Sequence, residues 1–497
     1  MREITGNVLE KLCAVILFLF GLYIAVFSFT GQGWSDTVSA AFIAAGAAIC
    51  LALLALWAAV CRRWDERVLF RLLLVLWFLC VEAQVLIALK MQVDPDVDLV
   101  HIYKQVVSMV KHHTDVFGDT GYFQFYTNNI PVGMLLYRVF LAASKLMGHP
   151  VPYRLVGGLF NVAMIWLAFF FIYQILRLMC PVRTRIFTMG VLLLNPVFYA
   201  YASYYYTDTM SLPFLAGGAF FLLRAWKSRR EPAAWLLAFA GGVLIFSGFR
   251  IRITCLFILL AFLPAAWSDA YKTRRLAVTA AGAAAAFVVV WALYTPLYHH
   301  QFPYDTTDTQ VPFTHFLMMG SHGRGIYDSN DVKFTLSLPT KKEKTEKTVQ
   351  KWIENLKANR LAGNLQLLRT KEEIVWGVGT RGYYQYTKKV TQPTRVYQWI
   401  TGDRSGVFRG YMQAYNGFFF AFLALGIAAG WKKKVFFHRV LLFYWAGAVL
   451  FYCLWEAHPR QAVSYLPLLT LLGVPFFARL MGEGQALGKN RGRRGTR

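Results

Sequence analysis

The sequence predicts an all-α polytopic membrane protein with about 12 transmembrane helices. Three observations carry that reading. Apolar residues make up 57% of the 497 positions and charged residues only 16%, whereas a soluble domain sits at roughly 45–50% apolar and about 25% charged. Aromatic residues reach 16%, as expected where Trp and Tyr gather at two membrane–water boundaries. The apolar residues also fall into runs of about 20, the length that crosses the hydrocarbon core.

In chain order the predicted spans cover 12–30, 38–60, 68–90, 153–178, 186–204, 209–226, 233–249, 253–268, 276–298, 414–430, 439–455 and 462–478. The first begins near Cys13, exceeds a signal-peptide core and is followed by more spans, so it reads as a retained helix. The short basic connectors test the order. They are Arg62-Arg63, Arg177 with Arg183 and Arg185, Lys227 to Arg230, Lys272 with Arg274-Arg275, Lys432 to Lys434, and the tail from Lys489 to Arg497. With the N-terminus inside, all fall on the cytoplasmic side, as the positive-inside bias requires. Residues 131–147 would flip this parity if they crossed, and Arg138 and Lys145 interrupt them, so a re-entrant or interfacial helix on the outer face is expected. The chain then divides into a two-helix extension (1–67), a membrane core (68–298) with an outer loop at 91–152, a long outer loop or lid (299–413), C-terminal helices (414–480) and a basic cytoplasmic tail (481–497).

The net charge of +26 is spread in short clusters between apolar runs. That distribution suits anionic membrane lipid and excludes nucleic acid as the expected partner. All seven cysteines lie within or at the ends of apolar runs without CxxC spacing, which makes them small buried hydrophobes rather than disulfides or metal ligands.

Outer-face charges are the candidates for chemistry. The third span is followed by Asp94-Pro95-Asp96-Val97-Asp98, and Pro95 holds the backbone extended so that Asp94 and Asp96 can point the same way. From Asp98 the pattern Leu99, Val100, Ile102, Tyr103, Val106, Val107, Val110 is helical and amphipathic, with Asp98 placed to cap it. A carboxylate at this boundary suits a general base; a solvated loop with a capping Asp, or a DxD-type metal site, are the competing readings. Asp208, after Tyr204-Tyr205-Tyr206-Thr207, is predicted at membrane depth, where an ionisable group needs a partner. Arg250 and Arg252 stand at an outer boundary against the positive-inside bias, which fits a lipid phosphate, a snorkelling pair or an ion pair with Asp208. Glu456 and Arg460 form a third outer cluster in Trp455-Glu456-Ala457-His458-Pro459-Arg460.

These elements, in this order and on one side, resemble the GT-C superfamily of polyprenyl-phosphate-sugar-dependent glycosyltransferases. The nearest group is the protein O-mannosyltransferase and aminoarabinose-transferase type, family 39, in its Gram-positive bacterial branch. Carrying the resemblance are Asp94 to Tyr103, Tyr126-Thr127-Asn128-Asn129-Ile130-Pro131, Tyr206-Thr207-Asp208, Met318-Met319-Gly320 to Gly325-Ile326-Tyr327-Asp328, and Trp455 to Arg460. The last is similar to an E-A-x-x-R-Y element, with Gln461 in place of its Tyr. The resemblance covers about 68–480 and leaves the first two spans as an addition. It implies a GT-C-like core with a small outer-face loop domain and an inverting sugar transfer from an undecaprenyl-phosphate donor to an acceptor outside the cytoplasmic membrane. That acceptor is a cell-envelope polymer, a glycolipid or a secreted protein.

Residue by residue, the resemblance makes Asp96 the first choice as base, Asp98 the second and Asp94 the third. Arg250, Arg252 and Arg460 hold the carrier phosphate, and Asp208, Glu456, Asn129 and Tyr206 line the substrate site. Because the leaving group is already a phosphate, the arginines stand in for a metal and no cofactor is required. A lipid-linked-sugar transporter or flippase, or a non-catalytic partner in glycopolymer assembly, is the rival expectation. Transporters usually carry paired repeats and broken midplane helices, whereas this chain gathers its charges at the outer boundary.

Overall fold

A computed structural model describes residues 2–32, 34, 37–118, 121–148, 150–267, 273–432 and 435–486. Lys272, Lys433, Lys434 and the tail from Lys489 to Arg497 lie outside the described residues. Among the described residues there is no β-strand, only two isolated bridges, Gln32 with Thr37 and Val93 with Val390. The protein is all-α, and eleven helices among the described residues are long and apolar enough to cross a membrane. Side chains such as Leu56, Phe78, Val288, Leu293 and Leu450 stand fully outward from them, a belt that only a lipid surface covers without cost.

The principal helices are α1 (Arg2–Ser28), α2 (Ala40–Arg63), α3 (Glu66–Lys90), α4 (Asp98–Lys111), α5 (Ile130–Met147), α6 (Tyr153–Met179), α7 (Val182–Leu193), α8 (Leu212–Lys227), α9 (Glu231–Ile251), α10 (Phe257–Trp267), α11 (Thr273–Gln301), α12 (Lys341–Glu372), α13 (Gly406–Gly430) and α14 (Phe436–Leu454). A final span, α15 (Pro459–Leu480), alternates α and 3₁₀ turns. Local signals set the ends: Ser39 caps α2 through the Phe42 amide and Asp65 caps α3 through the Arg67 amide.

Three expected elements differ. The run at 186–204 is not one helix, because Asn195-Pro196 ends α7 and the Asn195 side chain accepts the Val197 amide instead. The run at 253–268 forms the short apolar helix Ile253–Trp267. The stretch Thr127–Met147 has the length and hydropathy of a span, yet its contacts lay it across the ends of the others. Asn129 hydrogen-bonds Tyr206, and Phe140, roughly three turns later, packs on the adjacent Tyr205 and on Tyr153 at the start of α6. Arg138 and Lys145 point outward from it.

The basic connectors collect at the opposite end. Arg62 bonds the Leu480 carbonyl, Arg183 the Arg62 carbonyl, Lys227 the Leu178 carbonyl and Arg275 the Trp226 carbonyl. Residues 302–405 form a helical cap over the end that carries Asp98 and Glu456. The first two helices are part of the bundle, both packed along α13. There Gly46 and Gly410 let α2 and α13 touch backbone to backbone, and a Cβ on Gly410 would lie 2.0 Å from the Phe42 carbonyl oxygen. All seven cysteines are free thiols.

Gly410→Ala is expected to cost about 1–3 kcal/mol by overpacking this crossing. Gly447→Ala, whose Cβ meets nothing within 4 Å, is expected to be neutral in the same thermal melts in detergent.

Candidate functional site

A cavity of about 460 Å³ opens at the capped end. One side is apolar and aromatic, with Phe249, Ile251, Ile253, Phe316, Phe451 and Trp455; the other carries Asp98, Asn129, Tyr206, Arg252, Glu456 and Arg460. A small-molecule site commonly has this make-up, a greasy wall with a few convergent polar groups.

Asp98 is presented by an unusual backbone. Val97 has φ 52°, a left-handed conformation that a β-branched residue rarely adopts. The turn separates two neighbouring carboxylates. Asp96 swings outward to Lys389 at 2.9 Å and accepts the Val97 amide; although partial burial opposes it, these partners hold its carboxyl below the usual range. Asp98 begins α4 but does not cap it. Its carboxylate points instead to Tyr122, whose hydroxyl donates to Oδ1 at 2.9 Å, and lies 3.2 Å from the Tyr206 hydroxyl through Oδ2. Tyr206 has one proton and a second acceptor, Asn129 Oδ1 at 2.9 Å. Oδ2 of Asp98 therefore competes for a shared donor and keeps capacity to take up a proton. Asn129 also donates to Tyr122 at 2.6 Å, and His101 stacks on the Tyr122 ring at 4.1 Å. Burial, then the Asp98 charge, pushes the Tyr122 phenol up, so it stays a donor at neutral pH.

Beneath the polar wall lies a charge triad. Asp208 is 1% exposed and pairs with Arg252 at 2.7 Å and with Arg460 at 3.2 Å. Arg252 also donates to the Gln461 carbonyl, and the Arg460 guanidinium lies 4.7 Å from the Tyr206 ring and 4.9 Å from that of Tyr386. Two guanidiniums on one carboxylate leave a surplus positive charge beside the cavity. Arg250 adds another: it rests over Trp291 and Tyr294 at 4.6 and 4.5 Å, with no carboxylate partner among the described residues.

Glu456 faces these groups from the α14–α15 connector. Burial, then the Asp98 charge, pushes its carboxyl up to about 7, with Arg460 and Lys371 opposing. The connector is held from the cap: Lys371 donates to the carbonyls of Gly320 and Cys453, and the Ala457 amide bonds the Gly325 carbonyl.

Of the residues singled out in the sequence, Asp98, Asn129, Tyr206, Arg250, Arg252, Glu456 and Arg460 line the cavity and Asp208 stands behind it. Asp94 and Asp96 do not line it. Asp94 pairs with Arg154 at 2.7 Å and Asp96 with Lys389, and the twist at Val97 sends them away from Asp98. Of the three carboxylates in this run, Asp98 alone lines the cavity among the described residues. Sequence reasoning missed Tyr122, Tyr386 and Lys371; the Tyr383-Tyr384-Gln385-Tyr386 cluster in a polar loop was the one visible signal. A grouping of His322, Asp328 and Asp331 in the cap has ligand chemistry, but Asp331 already accepts Lys351 at 3.1 Å.

Residues 8–479 match the family described as conserved hypothetical integral membrane protein. The chain belongs to this family. No curated protein and no solved structure matches it. The family's extent takes in α1 from residue 8 and all of α2, together with every cavity residue named above.

The raised Glu456 carboxyl has a consequence for stability. A carboxyl that ionises near 4.5 unfolded and about 7 folded leaves stability intact below pH 4.5 and subtracts from it as pH rises through 7. Glu456→Gln is therefore expected to melt later than the parent at pH 8 and together with it at pH 4.5, read by thermal unfolding in detergent.

Proposed function

We propose that this protein is an inverting, polyprenyl-phosphate-sugar-dependent glycosyltransferase working on the outer face of the cytoplasmic membrane. The observation that carries the proposal is one carboxylate with proton-accepting capacity, Asp98, sharing an amphiphilic cavity with Arg250, Arg252 and Arg460. A lipid-linked sugar phosphate has three parts, and each has a counterpart here. The apolar wall suits the first prenyl units, the surplus positive charge suits the phosphate, and the Asp98, Asn129, Tyr206 and Glu456 wall suits sugar hydroxyls. The clustering of basic connectors at the far end supports an N-terminus inside and a cavity outside.

In the reaction proposed, an acceptor hydroxyl oxygen attacks the sugar C1 and the C1–O bond to phosphate breaks. The bonding pair leaves on the phosphate oxygen, where the arginines offset the growing charge. The hydroxyl proton passes to Asp98 Oδ2, and the products are a glycoside and the polyprenyl phosphate. Asp208 positions Arg252 and Arg460 and does not react. No step calls for a metal, because the cations are side chains.

The test uses protein in nanodiscs, radiolabelled undecaprenyl-phosphate sugars and a cell-envelope extract as acceptor. Asp98→Asn is expected to slow transfer by about 10²–10⁴-fold, the usual worth of a general base. Asp96→Asn, which weakens a partly exposed ion pair with Lys389 outside the cavity, is expected to change it by no more than about fivefold. Full activity in the Asp98 variant would remove the base assignment. Tight donor binding with movement of the lipid but no transfer would make the protein a transporter.

A further inference from the structure

A second cavity, of about 740 Å³, lies beside the first and has a different character. It sits between the loop joining α1 to α2 and the last part of the cap, where Trp34, Tyr384, Gln385 and Tyr397 stand beside the charged Lys388, Asp403 and Arg409. No Leu, Ile, Val, Met or Phe contributes to it among the described residues. The first cavity, by contrast, takes a whole wall from such residues.

We infer that this second cavity is a saccharide-binding site, and that on the transferase reading it holds a carbohydrate acceptor. Sugar rings present C–H bonds on their faces and hydroxyls around their edges, so they bind where aromatic faces stand among planar amides, carboxylates and hydroxyls. The lining supplies both. Trp34 Nε1–H donates to Gln385 Oε1 at 3.2 Å, which orients the amide, and its N–H groups have no acceptor among the described residues. The Tyr397 hydroxyl donates to the Lys388 carbonyl, which holds that ring in place, and Tyr384 is exposed. A peptide would need apolar side-chain pockets or a sheet edge, and the lining offers neither among the described residues.

The position connects the two cavities. Trp34 packs on His458 at 4.8 Å between centroids. His458 Nδ1 accepts the Arg460 amide, which leaves Nε2–H to donate to the Tyr386 hydroxyl at 2.9 Å. Tyr386 in turn carries the Arg460 guanidinium. The partition between the saccharide site and the phosphate-binding arginines is thus made of His458 and Tyr386, and a chain bound in one cavity lies alongside the chemistry of the other.

The experiment measures retention of a radiolabelled saccharide extract of the source organism's envelope by the full chain in nanodiscs, with a peptide digest of its secreted proteins as a second arm. Tyr384→Ala and Gln385→Ala are each expected to weaken saccharide retention by about tenfold while still binding undecaprenyl phosphate, which controls for folding. Arg250→Ala is expected to do the reverse. Unchanged retention in both cavity variants, retention of peptide instead of saccharide, or retention of neither would overturn the inference. Saccharide that is retained through Tyr384 and Gln385 but never receives sugar would uphold the site and remove the transferase reading.

Discussion

The arrangement at the capped end depends on Asp208. Its carboxylate is the meeting point of three segments far apart in the chain: the approach to α8, the end of α9 and the start of α15. A charge so deeply buried is tolerable only when paired, and removing one member of such a group typically costs about 3–5 kcal/mol because the others are left uncompensated. Here the pairing is also lopsided. One anion holds two cations in place, so the structure stores positive charge at the cavity without an exposed, freely hydrated side chain. Arg460 is further fixed between two tyrosine rings, which makes it a rigid element rather than a flexible arm.

Around that anchor the remaining polar groups are arranged by short-range devices. The left-handed Val97 sorts adjacent carboxylates into different surroundings, one outward to a lysine and one inward to two phenols. Lys371 reaches from the cap to a carbonyl at the end of α14 and so fixes the connector that bears Glu456. Without the cap, that connector would lose its main ties. The cap is therefore a structural part of the cavity and not merely a cover.

Much of this was legible in the sequence, and the misses have physical reasons. Spans were readable because crossing a bilayer demands a long apolar run, a requirement that tertiary context rarely overrides. Reading 131–147 as interfacial followed from Arg138 and Lys145, and the contacts of Asn129 and Phe140 agree with it. The broken run at 186–204 was visible only as Asn195-Pro196 inside an otherwise apolar stretch, where composition outvoted the turn signal. Residues in or behind the cavity stood out where a charge ran against its expected environment, as Asp208, Arg250 and Arg252 do. The resemblance put Asp96 ahead of Asp98, and the backbone twist at Val97 that turns only Asp98 to the cavity has no compositional signature. Tyr122, Tyr386 and Lys371 were hidden for another reason: their roles come from segments that only the fold brings together.

Among the described residues Arg250 is the one cavity cation not tied to Asp208, and its seat is on α11, over Trp291 and Tyr294. Trp291 is itself largely exposed on the outward flank of the bundle. The cavity thus has an edge on the side where lipid stands, not only on the side where water stands. For any amphiphile that enters by that edge, the governing concentration is a mole fraction in the plane of the membrane. Adding detergent then dilutes the ligand as effectively as adding buffer dilutes a solute, and occupancy follows surface density rather than molarity.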